Sequence, residues 1–289
     1  MTTDLTLRTH YWDDPKARAA FKEFIFRIHG LDFTAWEAAG FWDDAYTPFS
    51  FFKGKTVVAS VCIYLLDFVI DGQRTRLAQV SGVGTLSEWR RKGLNRQLTD
   101  IGLKWAQGRH DGVFLFSDEG AVPFYKRCGF FPMQEYVEWV PVTPPRHCGG
   151  AIRLDPGDKH DRDKISAYAK RRTPVSNTFG VLNDKLLMFH VLYSLRNDIH
   201  EIPDLNCLVF CRRTKEGLSI YDIVGERVPR WEEIYPHIAD PTDSVIEFHF
   251  CTDRLGLQMT TTRQLEGNFP FVRGTFPIAK PVFPFTSRA

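Results

Sequence analysis

The run from Val80 to Arg96, V-S-G-V-G-T-L-S-E-W-R-R-K-G-L-N-R, constrains this chain more than any other. Residues 75–86 read as a strand, Gly93 punctuates a short basic turn, and Leu94 opens a helix whose apolar stripe is Leu94, Leu98, Ile101 and Trp105. A strand that feeds a helix through so tight a turn leaves the first helical amides unpaired. Those amides and the helix dipole favour an anion. Gly93 admits close backbone approach, and Arg90, Arg91, Lys92 and Arg96 add positive charge. A pyrophosphate suits such a turn; a solvated basic turn is the plainer reading. The pattern is neither G-x-x-x-x-G-K-[ST] nor G-x-G-x-x-G, so a P-loop and a dinucleotide fingerprint are excluded here.

The neighbouring elements alternate. Before the turn come a strand at 5–11, helices at 15–28 and 33–39, and strands at 49–52 and 57–68, with Asp71-Gly72 as a hairpin turn. After it come the helix to 107, a strand at 112–116, a short helix at 121–127, and last strands in 130–142. The second half offers helices at 162–171, 183–195 and 231–238, and strands at 151–154, 208–211, 218–224 and 245–250. Between the halves, P-V-T-P-P-R-H-C-G-G at 141–150 cannot continue a helix or a central strand. The expectation is a mixed α/β protein with a domain at 1–142, a linker at 143–150 and a second, smaller domain at 151–289.

Composition narrows the function. Of 289 residues, 43% are hydrophobic and 25% charged, with 37 Lys plus Arg against 35 Asp plus Glu, which excludes a disordered chain. A net charge of +2 gives no general attraction to nucleic acid or an anionic membrane. No stretch reaches the ~20 apolar residues of a membrane span. The start of the chain carries no export leader, and the six cysteines include no C-x-x-C, so a cytoplasmic protein with reduced thiols is expected. The nine histidines lack metal-binding spacing, and no metal is expected. Cys207 and Cys211 share one face of a strand and read as packing residues. The run Lys170, Arg171 and Arg172 reads as a complement to a helix dipole.

Arg90, Gly93 and Asn95 occupy the defined positions of [QR]-x-x-G-x-[GA], and on these residues the chain resembles the GNAT acyltransferase superfamily. V-G-T-L-S-E-W and R-R-K-G-L followed by Asn95 and Arg96 are similar to the enhanced-intracellular-survival group within it. Tyr125 to Phe130 matches the family's Y-x-x-x-G-F ending. The resemblance covers 1–142 and implies a GNAT fold, a central mixed and mostly antiparallel sheet flanked by helices. It also implies acetyl-CoA or another acyl-CoA as co-substrate, held by Arg90, Arg91, Lys92, Gly93, Leu94, Asn95 and Arg96. The Val83, Gly84 and Thr85 strand would splay from its neighbour and pair with pantetheine, and an amide there would polarise the thioester carbonyl.

Tyr125 becomes the general acid for the leaving thiolate. Glu88, His110, Asp118 and Glu119 flank the expected cleft without one standing out as base; some relatives use the carboxylate of the last residue, here Ala289. Trp42, Asp43, Asp44 and Tyr46 lie where GNAT folds build the acceptor wall and would suit a cationic or sugar-bearing amine. The second half has no second carrier turn. It reads as a degenerate GNAT-like domain that shapes the acceptor pocket or a homo-oligomer interface, with its Phe- and Pro-rich end at 271–285 wrapping over a neighbouring surface. The resulting expectation is an N-acyltransferase acting on a primary amine of a small molecule, an amino sugar among the candidates. A non-catalytic acyl-CoA sensor and a protein N-acetyltransferase are the alternatives.

Overall fold

The computed structural model describes residues 4–215, 217–258, 260–265 and 269–289. Among them, two mixed, mostly antiparallel sheets are flanked by helices. The first sheet runs Thr6–Thr9, Tyr46–Lys53, Thr56–Ile70, Gln73–Thr85, Gly112–Ser117, Phe269–Arg273, Phe131–Pro132, with Phe179–Val181 beside the end of Thr56–Ile70. Its one parallel pair is Gln73–Thr85 with Gly112–Ser117. Asp71 and Gly72 turn the long hairpin at φ 47° and 75°, the left-handed pair that matches strand twist.

The helix Pro15–His29 starts where the Asp14 carboxylate accepts the Lys16 and Ala17 amides, and stops at Gly30 with φ 70°. It lies on one face of the sheet: a Cβ placed on Gly82 would meet Ile25 of this helix and Cys62 of the sheet. The helix Leu94–Ala106 lies on the other face, where a Cβ on Gly102 would meet Ile63. Cys62 and Ile63 are consecutive, so they point to opposite sides. This double cover explains why Thr56–Ile70 is apolar almost throughout rather than alternating.

Strands cross the Pro- and Gly-rich break in both directions. The 130–142 stretch was expected to finish the first sheet; only Phe131–Pro132 does so, while Tyr136–Pro141 pairs with Val245–Phe248 and Thr261–Gln264 in the second. In return, the chain's end does not merely wrap over a surface. Phe269–Arg273 is an inner strand of the first sheet, between Gly112–Ser117 and Phe131–Pro132. Phe283 behind it stacks on Phe114 at 5.3 Å between ring centroids and is fully buried. The exposed edge of Gly112–Ser117 needs a hydrogen-bonding partner, and no local pattern says which distant segment supplies it.

The second sheet runs Thr261–Gln264, Tyr136–Pro141, Val245–Phe248, Gly217–Gly225, Cys207–Thr214, Ile199–Ile202, Ile152–Arg153. Cys207, Val209 and Cys211 enter one apolar cluster, and Leu208 and Phe210 another on the opposite face. The basic run after helix Lys159–Lys170 does more than balance a dipole. Arg172 turns inward to meet Asp222 at 2.8 Å, both side chains 1% exposed, and Arg171 pairs with Glu226. Periodicity cannot distinguish an inward arginine from its solvated neighbours. No helix among the described residues is long and apolar enough to cross a membrane.

Two buried histidines make the fold acid-sensitive, and one of them, His190, also holds the last residues in place. His190 meets the Arg288 carbonyl through Nε2 and the Ser194 hydroxyl through Nδ1, both at 2.8 Å; His249 lies 4.9 Å from the Tyr221 ring. Burial lowers each to about 4; at His190 the bond to the Arg288 carbonyl partly offsets this, while at His249 the Arg288 and Arg263 charges add to it. Unfolded histidines titrate near 6.5, so between about pH 6.5 and 4 the unfolded chain binds more protons and stability falls as pH drops. The full loss is on the order of 3 kcal/mol per histidine. Urea midpoints measured from pH 7 to 4.5 should fall less steeply in His249→Phe than in the parent; equal slopes would contradict this account.

Candidate active site

Two cavities meet on the face of the first sheet covered by Pro15–His29. The larger, about 550 Å³, is lined by Val83, Gly84, Thr85, Arg90, Arg91, Gly93, Leu94, Asn95 and Arg96, joined by Trp89 and Arg127. Every residue expected to hold the carrier is there except Lys92, whose ammonium stands 4.3 Å from the centre of the Trp89 ring. Gly93 takes φ 74° as it caps the helix Leu94–Ala106. Arg91 takes φ 62°, an unfavourable setting for a residue with a Cβ. Arg90 Nε donates to the Thr85 carbonyl at 3.2 Å and closes the turn. Asn95 stands where the motif has a small residue. Its Oδ1 accepts from the Thr85 hydroxyl at 2.7 Å, which directs this amide toward the strand.

The strand beside the turn is opened twice. Its parallel ladder with Gly112–Ser117 pairs only Leu77, Ala78 and Gln79, so Val80 to Thr85 lie beyond the last registered pair. On the other side, Ser60 faces Gly84 and Cys62 faces Ser81, leaving Gly82 and Val83 opposite Val61 alone. That is a bulge, which re-aims backbone groups. Gly82 sits in it at φ 55°, and a Cβ there would come within 2.8 Å of the Tyr46 hydroxyl.

The second cavity, about 370 Å³, begins at this bulge and contains Tyr125. Tyr125 is 6% exposed and packs against Phe124, Phe130 and Phe271. Burial, with Asp118 and Cys128 adding to it, pushes its phenol well above the ordinary tyrosine value, so it stays protonated. His29, Val83, Asn95, Asp118 and Phe124 line both cavities and form their junction. Desolvation lowers His29, with Asp118 partly opposing, so its imidazole is neutral at pH 7.

The expected acceptor wall divides. Tyr46 lines the smaller cavity, its hydroxyl accepting from Ser81 at 3.1 Å. Trp42 is stacked on Phe21 at 5.7 Å within the core. Asp43 is paired with Lys185, and Asp44 lines a separate cavity with Arg74, Arg76 and Arg109. Of the acids and bases flanking the cleft in sequence, Asp118 reaches the junction; Glu88 and Glu119 line neither cavity, and His110 lines another one.

The second half reaches in through Leu186 and Phe189, and Ala289 lines the wall, its amide donating to Gln79 Oε1 at 3.1 Å. His29, Leu186 and Phe189 belong to no motif. The only sequence signal for His29 was its place one residue past the expected end of its helix.

Residues 7–130 match the model of the acetyltransferase (GNAT) family. No curated protein matches the chain. Among solved structures, a conserved protein of unknown function from Enterococcus faecalis V583, described as "Probable N-Acyltransferase", superposes with TM-score 0.59 at 12% identity over 98% of this chain and 74% of its own. A GCN5-related N-acetyltransferase from Kribbella flavida gives 0.53 at 15% over 93% and 71%. Eis1 from Mycobacterium abscessus gives 0.52 at 17% over 96% and 73%. At such identities these likenesses establish a common fold spanning both halves.

Proposed function

We propose that this protein, whose residues 7–130 match the GNAT acetyltransferase family model, is an N-acetyltransferase that moves an acetyl group from acetyl-CoA to the primary amine of a small molecule by direct attack in a ternary complex. One observation carries this reading: the cationic turn and the Tyr125 cavity meet at the bulge where the strand is open. The first amides of Leu94–Ala106, with Arg90, Arg91 and Arg96, hold the pyrophosphate. The free edge from Val83 to Thr85 pairs with pantetheine, and an amide at the bulge accepts the charge that develops on the carbonyl oxygen.

The amine nitrogen bonds to the thioester carbon, the carbon–sulfur bond breaks, and the electron pair leaves on sulfur. Tyr125 donates its hydrogen to that sulfur. Because burial disfavours the phenolate, donation is coupled to loss of the proton from the attacking nitrogen, which restores the phenol. The thiols of Cys62 and Cys251 are pushed by burial up to about 12, and Cys128 is also raised, so none is poised as a covalent carrier. The half at 151–289 serves as a lobe without its own carrier site, closing the acceptor cavity through Leu186 and Phe189.

Arg91→Glu combined with Arg96→Glu should weaken acetyl-CoA binding by about 2 kcal/mol or more, ~30-fold in Kd, since charge-assisted contacts are lost and repulsion is added. Both side chains project from a solvated turn, so the thermal midpoint without ligand should move little. Calorimetric titration measures the first quantity and a melting scan the second. Unchanged affinity would place the carrier elsewhere.

A further inference from the structure

We propose that the acceptor is a primary amine with an aromatic or similarly apolar body, of the arylalkylamine class, its ammonium beside Asp118 and its body in the 370 Å³ cavity. This rests on the acetyltransferase reading above and narrows it.

The walls are the first reason. The lining includes Phe33, Trp36, Tyr46, Tyr64, Leu186 and Phe189, surfaces that gain by covering an apolar or aromatic guest. The indole N–H of Trp36 is directed away to the Lys185 carbonyl at 2.9 Å, so the ring contributes hydrocarbon and π-surface.

Charge is the second. Among the described lining residues, Asp118 is the one carboxylate side chain, and the last residue, Ala289, stands in the same wall. The lining includes no lysine or arginine, and the neutral His29 adds no positive charge at pH 7.

The third reason concerns hydroxyl groups. Ser81 already donates to Tyr46, Ser117 to the Asp118 carbonyl, and Tyr64 to Asn183, while Asn95 Oδ1 is engaged by Thr85. With these hydroxyl protons already engaged, a sugar's oxygens would find few free donors in exchange for water, at about 1–3 kcal/mol for each group left unsatisfied. Asp118 lies at the junction, where an amine must stand to reach a thioester at the bulge. An ammonium anchored there gives one proton to solvent before attack, and its apolar body points away from the carrier.

The test is thiol release from acetyl-CoA by the full chain with 2-phenylethylamine, tryptamine, glucosamine, 1,4-diaminobutane and kanamycin, alongside a thermal-shift titration with acetyl-CoA. The two arylalkylamines should exceed the others by at least ~100-fold in kcat/KM, the ratio expected from about 3 kcal/mol of mismatch. Phe189→Ala should raise KM for tryptamine ~10-fold or more with kcat less affected, and Phe189→Glu should shift preference toward the diamine. Glucosamine or kanamycin equal to or better than tryptamine overturns the acceptor assignment and leaves the acetyltransferase reading intact. So does acetyl-CoA binding without turnover of either arylalkylamine, or a substrate ratio indifferent to both Phe189 variants. No thermal shift with acetyl-CoA and no thiol release with any amine overturns the underlying reading itself.

Discussion

Tyr125→Phe is expected to lower turnover about 10²–10⁴-fold, the span over which general acids contribute, while acetyl-CoA affinity and melting temperature stay close to the parent's. The contrast follows from what the side chain touches. Its ring packs with centroids 5.1 Å from Phe124 and 6.0 Å from Phe130, contacts that phenylalanine preserves. The substitution therefore removes one oxygen from the cavity and little from the core. In the parent, the raised phenol should hold kcat on a plateau past pH 9, with no tyrosine ionisation cutting into it. Steady-state thiol release over pH 6–9.5, with acetyl-CoA affinity by calorimetry, checks both parts. A variant with parental kcat across that range would assign Tyr125 to packing alone.

The largest expected loss of stability comes from Arg172→Met. Its guanidinium and the Asp222 carboxylate are enclosed together, and removing one partner leaves the other as an uncompensated buried charge, which costs about 3–5 kcal/mol. The lower end applies here, because Arg172 Nε and Nη1 have no partner among the described residues and their removal relieves part of the cost. Asp222 also accepts from the Ile223 amide and from the Thr286 hydroxyl near the end of the chain. Losing its arginine should thus loosen the segment that lines the Tyr125 cavity. Adding Asp222→Asn to Arg172→Met removes the charge, keeps an amide able to serve both remaining partners, and should recover much of the stability. Urea denaturation of the parent, single and double variants measures it. A double variant no more stable than the single would show that packing, not charge, dominates.

The cationic turn was legible because its chemistry is local. Strand, glycine, arginines and helix start lie within one short stretch, and each imposes its condition on its immediate neighbours. The Pro15–His29 helix was readable for the same reason, from Asp14, Pro15 and a regular apolar stripe. The acceptor wall was not. Trp42, Asp43, Asp44 and Tyr46 are near neighbours in sequence, yet they go to the core, to Lys185, to another cavity and to the site, respectively. Residue type suggested an aromatic and acidic wall; only packing decides which side chain faces which space.

Sequence alone determined the family-like turn, the alternation of elements and the tyrosine after the Gly112–Ser117 strand, since backbone preference and side-chain period act over a few residues. Tertiary structure decided that the chain's end completes the first sheet, that Tyr136–Pro141 crosses to the second, and that Leu186, Phe189 and His29 share a cavity with Tyr125. Those outcomes depend on edge strands finding partners more than a hundred residues away and on which apolar surfaces are left to cover. Such choices are made by the free energy of the whole packed molecule, and no short window of residues contains them.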